Sequence, residues 1–407
     1  MLESSPTVRR VLRGELCTGC GACAGVSGGA IEMASLAPGY NRPVAVGLLH
    51  PAAETKIAHA CPGAAVARWP DEASTHPDWG PWRGVFTGAA TDPDTRFQGS
   101  SGGAISALLI YALRSGRVDR VLHVTADPLQ PTRNTVIISR TPAEVLGGAG
   151  SRYTASSPLA QIDAALAEGG AMAFVGKPCD ASALRRLADN DPRVARHVPL
   201  VLSFFCGGIP SHNGVLRILE TMGMPPDDVT AFRFRGRGWP GNCVAESAEG
   251  QAEMSYAESW GAHLSKEVQF RCKICPDAVG GVADIACADA WYGDEAGYPS
   301  FEEEEGRSLI ITRTAAGARL LSEALAAAVI EASPLDIREI DKMQPAQARR
   351  KRLVFARTAA LSLVLQPRPR MAGLKVFQAA SRAPLAEALR NFVGTVRRTL
   401  RGRRSRL

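Results

Sequence analysis

Apolar residues along the middle of the chain recur first at helical spacing and then in short alternating runs. In "FQGSSGGAISALLIYALRSGRVDRVLHVTAD", Ile105, Leu108, Leu109, Ala112 and Leu113 share one face of a predicted helix that Gly116 ends. The following "RVLHVTAD" reads as a β-rich strand. The alternation continues with a helix at "PLAQIDAALAEGG", a strand at "AMAFVG", a helix at "ASALRRLAD" and a strand at "VPLVLSFFC". Helices and strands in turn predict an α/β sheet body. Arg233, Arg235 and Arg237 in "FRFRGRGW" alternate on one face of a further expected strand, either toward an anion or as a solvated face. Pro70 to Pro93, with "PDEASTHPDWGPW", breaks the pattern and reads as a linker. The expected division is residues 1–70, a body at 80–345 and a helical tail at 346–407.

The tail has its own pattern. In "PLAEALRNFVGTVRRTLRGRRSRL", Leu385, Leu389, Phe392, Val393, Val396 and Leu400 form one helical stripe, with Arg390, Arg397 and Arg401 filling the rest. Charge sharpens this. The net +7 hides a segment from Arg349 onward with 16 Lys/Arg and a single acid, Glu387, so the remainder is net acidic. Such a helix suits an anionic membrane surface, an acidic partner or the acidic body itself. No nucleic-acid-reading module accompanies the charge, so nucleic acid is not expected.

Composition adds only bounds. With 407 residues, 45% apolar and 21% charged, the chain has material for two or three buried cores. No apolar run approaches the ~18–20 residues of a membrane span. The start, "MLESSPTVRRVLRGEL", lacks a signal-peptide core. A cytoplasmic protein is expected, with the basic helix as a peripheral contact.

Ten cysteines in such a chain point to metal or redox sites rather than disulfides. "CTGCGAC" places Cys17, Cys20 and Cys23 at two-residue gaps, a spacing that wraps one cubane and offers three thiolates to three irons. Gly19 and Gly21 let the backbone bend close to sulfide. In bacterial ferredoxins the run continues x3-C-P; here Ser27 stands at that position, and Cys61-Pro62 occupies the place of the returning Cys-Pro. One 4Fe–4S cluster on Cys17, Cys20, Cys23 and Cys61 follows, in a ferredoxin-like domain. Zinc, which favours paired C-x2-C knuckles, is the competing reading.

A second set lies further on. Cys179 in "VGKPCD" and Cys206 in "SFFCGG" follow strands, at the edge where an α/β sheet holds ligands. Cys272 and Cys275 in "RCKICPD" complete four ligands for a second 4Fe–4S cluster. Zinc fits this pattern too, and Cys243 or Cys287 are alternative members, Cys287 being better suited to buried packing. Asp284 and Asp289 in "ADIACAD" are candidate proton donors or, more ordinarily, caps. "GSSGG" before the first helix offers backbone N–H groups to phosphate or merely caps the helix.

Together "CTGCGAC…CPG", "GSSGGAISALLIYAL", "GSRYTAS", "GKPCDASALRRL", "LSFFCGG", "FRFRGRGWPG", "RCKICPD", "ADIACADAW" and "RSLIITRTAAG" resemble the coenzyme F420 hydrogenase/dehydrogenase beta-subunit family from about Cys17 to Gly317. That family includes proteins similar to 7-hydroxymethyl chlorophyll a reductase. The resemblance implies an α/β (α+β) flavoprotein body that binds FAD and two 4Fe–4S clusters. Carried over by position, Gly99, Ser100, Ser101, Gly102, Gly103, Ser151 and Tyr153 would contact FAD, and Lys177 would lie near its isoalloxazine. Ser100-Ser101 and Ala286-Cys287-Ala288 depart from the more usual residues, and the shorter N-terminal cysteine set argues against a chlorophyll-type substrate. The implied activity is an iron–sulfur flavin-dependent oxidoreductase. It would relay electrons from ferredoxin or another redox protein to coenzyme F420 or a small organic substrate. The alternatives are an electron-transfer subunit without its own substrate, and a zinc-stapled binding protein.

Overall fold

The computed structural model describes residues 5–71, 74–293 and 300–404. Eight strands form the central sheet: Gly84–Ala90 (β1), Arg120–Ala126 (β2), Asn134–Ser139 (β3), Met172–Val175 (β4), Leu200–Phe204 (β5), Ile285–Asp289 (β6), Ser308–Thr312 (β7) and Ile330–Pro334 (β8). Their order is β8-β1-β7-β6-β5-β4-β2-β3. β2, β4, β5 and β6 are mutually parallel, and the strands on either side pair antiparallel. Apolar runs rather than strict alternation build the four parallel strands because both of their faces are covered. Val121, Ala173, Leu202, Ile285 and Ile310 enter one core, and Leu122, Phe174, Val201, Leu309 and Ile311 enter the other.

Each core has its own covering. The helix Ala104–Arg114 (α1) and the helix Ala315–Ala326 close the first face through Leu108, Leu109, Leu320 and Leu321. The helix Pro178–Ala188 (α2) closes the second, where Ala60 near the start of the chain and Ala348 and Leu374 near its end join the same core. Segments from the first and last parts of the chain thus share one layer of the body.

The mixed α/β body expected from the apolar pattern is present. The expected linker is not. Residues 70–93 contain the strands Ser74–His76 and Gly80–Trp82 and the whole of β1. Trp79 is fully buried and its Nε1 donates to Asp341 at 2.8 Å. Proline and glycine there serve tight turns, which leave the same compositional trace as a linker; Gly80 sits at φ +80°.

The C-terminal segment is helical as expected: Pro345–Arg352 (α3), Val354–Leu363 (α4) and Leu385–Arg404 (α5). It is docked rather than free. Lys351 is buried over the Trp69 ring, and its amine donates to the carbonyls of Pro276 at 2.5 Å and Leu374 at 2.6 Å. Arg357 of α4 donates to Asn391 of α5 at 2.9 Å.

Candidate functional site

The first three thiols lie on a turn that only glycine can make at two points. Gly19 and Gly21 take φ of +76° and +85°, and a Cβ on Gly21 would come within 2.6 Å of Ala160 N. The turn is laid on the body: Leu159 N donates to Cys20 O at 3.0 Å, and Ser157 Oγ donates to Gly19 O at 2.8 Å. Cys61 caps the helix Pro51–Ala60, and it interacts electrostatically with Cys17, Cys20 and Cys23. All four expected ligands of the first set are therefore neighbours.

Burial pushes all four thiols up, Cys61 to about 11. Opposing it, backbone N–H groups point at sulfur. Gly19 donates to Cys17 Sγ at 3.4 Å, Ala22 to Cys20, Ala24 to Cys23, and Gly63 and Ala64 to Cys61.

The second set is assembled from three loops. Cys179 opens α2 just past β4, Cys206 lies two residues past β5, and Cys272 and Cys275 flank the end of the short helix Phe270–Lys273. Cys179 interacts with Cys206 and Cys272, and Cys206 with Cys272 and Cys275. Burial raises Cys206 to about 12, and Gly208 N–H and Arg350 oppose the rise. The loops are clamped from the C-terminal helices. Gln347 and Arg350 donate to Cys206 O at 3.0 and 2.8 Å, Arg350 also bonds Gly207 O, and Arg357 donates to Lys273 O at 2.7 Å.

Cys243 and Cys287 stand apart from both sets. Cys243 packs with Phe234 and Met254, and its charged neighbours are Arg233 and Arg152. Cys287 lies in the β-sheet core beside Ile285 and Ile310, as packing alone predicts.

The two sets are adjacent, which the sequence pattern did not reveal. Arg271, only 2% exposed, interacts with both Cys61 and Cys275 and donates to Pro62 O at 3.2 Å. Ile274, inside the C-x2-C loop, packs in one cluster with Cys17 and Cys61. Arg42, which interacts with Cys17, donates to Gln269 Oε1 at 3.0 Å, and Gln269 in turn donates to Cys272 Sγ at 3.6 Å. The available signal was a basic residue immediately before Cys272, which is common enough to pass unnoticed. Among the described residues, no group of three or more His, Cys, Asp or Glu side chains is arranged to hold a metal ion.

The expected FAD-contacting segments meet around Arg235, which is buried rather than part of a solvated strand face. Its guanidinium donates to Asp289 at 2.9 and 3.0 Å, to Ser100 O at 2.6 Å and to Tyr153 Oη at 3.3 Å. The strand itself spans only Ala231–Arg233. Within "GSSGG", a Cβ on Gly102 would come within 2.7 Å of Gly88 O, one on Gly103 within 2.5 Å of Thr95 O, and one on Gly99 would meet the Gly103 backbone. Ser101 Oγ donates to Arg307 O at 2.9 Å, and Gly102 N–H to Ser308 Oγ at 3.0 Å. Close packing therefore accounts for much of this motif.

Beside it opens a cavity of about 340 Å³, lined by Ser151, Gly148, Gly150, Arg152, Arg233 and Arg237 among others. Arg233 Nε is buried there without a partner. Lys177 is elsewhere, beside the second thiol set, with its amine 2.7 Å from Asp180 and 2.8 Å from Ser156 Oγ. Neither candidate proton donor is free. Asp284 bonds Arg185, Val201 N and Thr314, and Asp289 bonds Arg235 and Trp239.

Two family models match the chain in succession: coenzyme F420 hydrogenase/dehydrogenase beta subunit N-term over residues 85–162, and its C terminus over 169–338. The coenzyme F420 hydrogenase subunit beta of Methanococcus voltae is 29% identical over 66% of this chain and 88% of its own. The subunit of the same name from Methanothermobacter thermautotrophicus is 24% identical over 63% of this chain and 86% of its own. In fold, the chain resembles one in the F420-reducing [NiFe] hydrogenase complex from Methanosarcina barkeri, at TM-score 0.56 and 20% identity, covering 73% of this chain and 98% of that one. Matched models over most of the length, on a sheet whose strand ends carry the thiols, make this chain a member of the coenzyme F420 hydrogenase/dehydrogenase beta-subunit family.

Proposed function

We propose that the protein is an iron–sulfur flavoprotein that relays electrons between a one-electron carrier and a two-electron acceptor. The observation that carries this reading is the pairing of two partly buried four-thiol sets across Arg271. Cys17, Cys20, Cys23 and Cys61 would hold one 4Fe–4S cluster, and Cys179, Cys206, Cys272 and Cys275 the other. The residues suit a cluster rather than the single ion that they are not arranged to hold: thiols withdrawn from water cost energy as bare thiolates, and N–H donors already aimed at sulfur stabilise them once iron replaces the proton. A mononuclear zinc site needs four sulfurs about 2.3 Å from one centre, whereas in a cubane each thiolate takes its own iron.

FAD is supported by Arg152, Arg233 and Arg237, basic side chains that line the cavity beside Ser151. At about 340 Å³ the cavity lies at the low end of cofactor pockets and suits the phosphate-bearing part of a dinucleotide. Gly99 to Gly103 and Tyr153 would brace that wall through Arg235, and Lys177 would stand between the flavin and the second cluster. Clusters pass single electrons and a flavin exchanges one or two, so together they would join ferredoxin or a similar protein to coenzyme F420 or a small organic substrate.

The relatives' names favour a second form of the same reading, a subunit that forwards electrons within a larger complex. Anaerobic purification with iron, sulfide and flavin quantified tests the proposal. About eight irons, eight sulfides and one flavin per chain are expected, followed by flavin reduction on adding reduced ferredoxin. Zinc in place of iron overturns it. Co-purification of stoichiometric partners separates the subunit form from the self-contained enzyme.

A further inference from the structure

The C-terminal helix α5 lies beyond the residues that either family model matches. Its polar flank holds it to the body. Asn391 is bonded by Arg357, Thr395 is 2% exposed, and Glu387, the sole acid on the helix, pairs with Arg349. This docking fixes how the helix is turned. Its apolar stripe points away from the body: Leu385, Leu389, Val393 and Leu400 are 84%, 60%, 56% and 45% exposed, with Phe392 and Val396 half-buried on the same stripe. Arg390, Arg397 and Arg401 recur at seven and four residues and form an exposed row beside it.

We infer that this face of α5 seats the protein on an anionic lipid surface. Four exposed apolar side chains on one stripe are a cost in water that folding has not relieved, although the other flank of the helix is packed. The stripe is a single row on one helix, and a protein partner would need a groove shaped to receive it. A lipid surface needs no such groove: the apolar row enters the acyl boundary while the adjacent arginines reach phosphate. A second copy of the chain would present the same arginine row, and the only acid of its α5 is already paired. No helix among the described residues is long and apolar enough to cross a membrane, so the contact is interfacial. The inference is independent of any bound iron or flavin.

The test is sedimentation of the full-length protein with phosphatidylcholine vesicles and with vesicles that also contain phosphatidylglycerol. Binding to the anionic vesicles alone, weakening as salt is raised, is expected. Leu389→Glu/Val393→Glu should lower the partition about tenfold or more, and Arg390→Glu/Arg397→Glu should abolish the preference for phosphatidylglycerol. Circular dichroism melts matching wild type show that both variants fold, since all four side chains are exposed. Wild-type protein left in the supernatant with both vesicle types overturns the inference. So does equal binding by the Leu389→Glu/Val393→Glu variant, or a concentration-dependent dimer in light scattering that this variant abolishes.

Discussion

The two thiol sets reach similar surroundings by opposite routes. Three thiols of the first set come from seven consecutive residues bent by Gly19 and Gly21, and one helix brings in Cys61. The second set exists only because β4 and β5 end side by side, and because Gln347, Arg350 and Arg357 clamp the returning loops. A local loop carries most of its geometry in its own backbone. A site at a sheet edge borrows its geometry from the sheet and from whatever packs over it, and should fail at more distant positions.

The largest expected effect is the direct one. Cys20→Ser and Cys206→Ser should each reduce iron from about eight to about four atoms per chain, measured with acid-labile sulfide, while Cys243→Ser and Cys287→Ser leave it unchanged. A Cys243→Ser protein that lost four irons would break the assignment of the second set.

A smaller effect should separate the two sets. Arg350→Ala removes two donors from the Cys206 and Gly207 carbonyls, a local loss of about 2–3 kcal/mol for a charged hydrogen-bonding group. Iron should be partly lost from the second set during dialysis against a chelator and retained in the first. Equal loss from both would mean that α3 does not act selectively.

Smaller again is a change without loss of iron. Arg271→Met removes a buried positive charge that faces both sets, so both potentials should fall together, by on the order of 100 mV for a unit charge at effective dielectric ~20. Redox titration followed by electron paramagnetic resonance reads this directly. A shift in one set alone would place Arg271 at that set rather than between the two.

The smallest prediction concerns how the N-terminal segment is held. A Cβ on Gly39 would meet His212 Cβ at 2.4 Å, and His212 N–H donates to Gly39 O at 3.3 Å. Burial, aided by Arg133, lowers the His212 pKa to about 4. The unfolded chain takes up this proton near pH 6.5 and the folded chain resists until about 4. Stability is therefore retained above pH 6.5 and falls by roughly 3 kcal/mol as pH drops through that window. Urea midpoints against pH should show the slope, and His212→Gln should flatten it.

Features that depend on neighbours in the chain were legible beforehand. The helical face of α1, the strand at β2, the C-x2-C-x2-C turn and the basic stripe of α5 each arise from spacing over a few residues, which backbone geometry converts directly into a face or a loop. Cys179 and Cys206 were legible for a related reason, because parallel strands deliver their ends to one edge. Tertiary packing decided the rest. It excluded Cys243 and Cys287 from both sets, placed residues 84–90 in the central sheet and buried Arg235 against Asp289. It also set Arg271 between two thiol groups and turned the apolar row of α5 outward. Composition and periodicity state which residues prefer burial or a bend. Which partner fills the neighbouring space depends on contacts between segments hundreds of residues apart, and only the folded chain contains those.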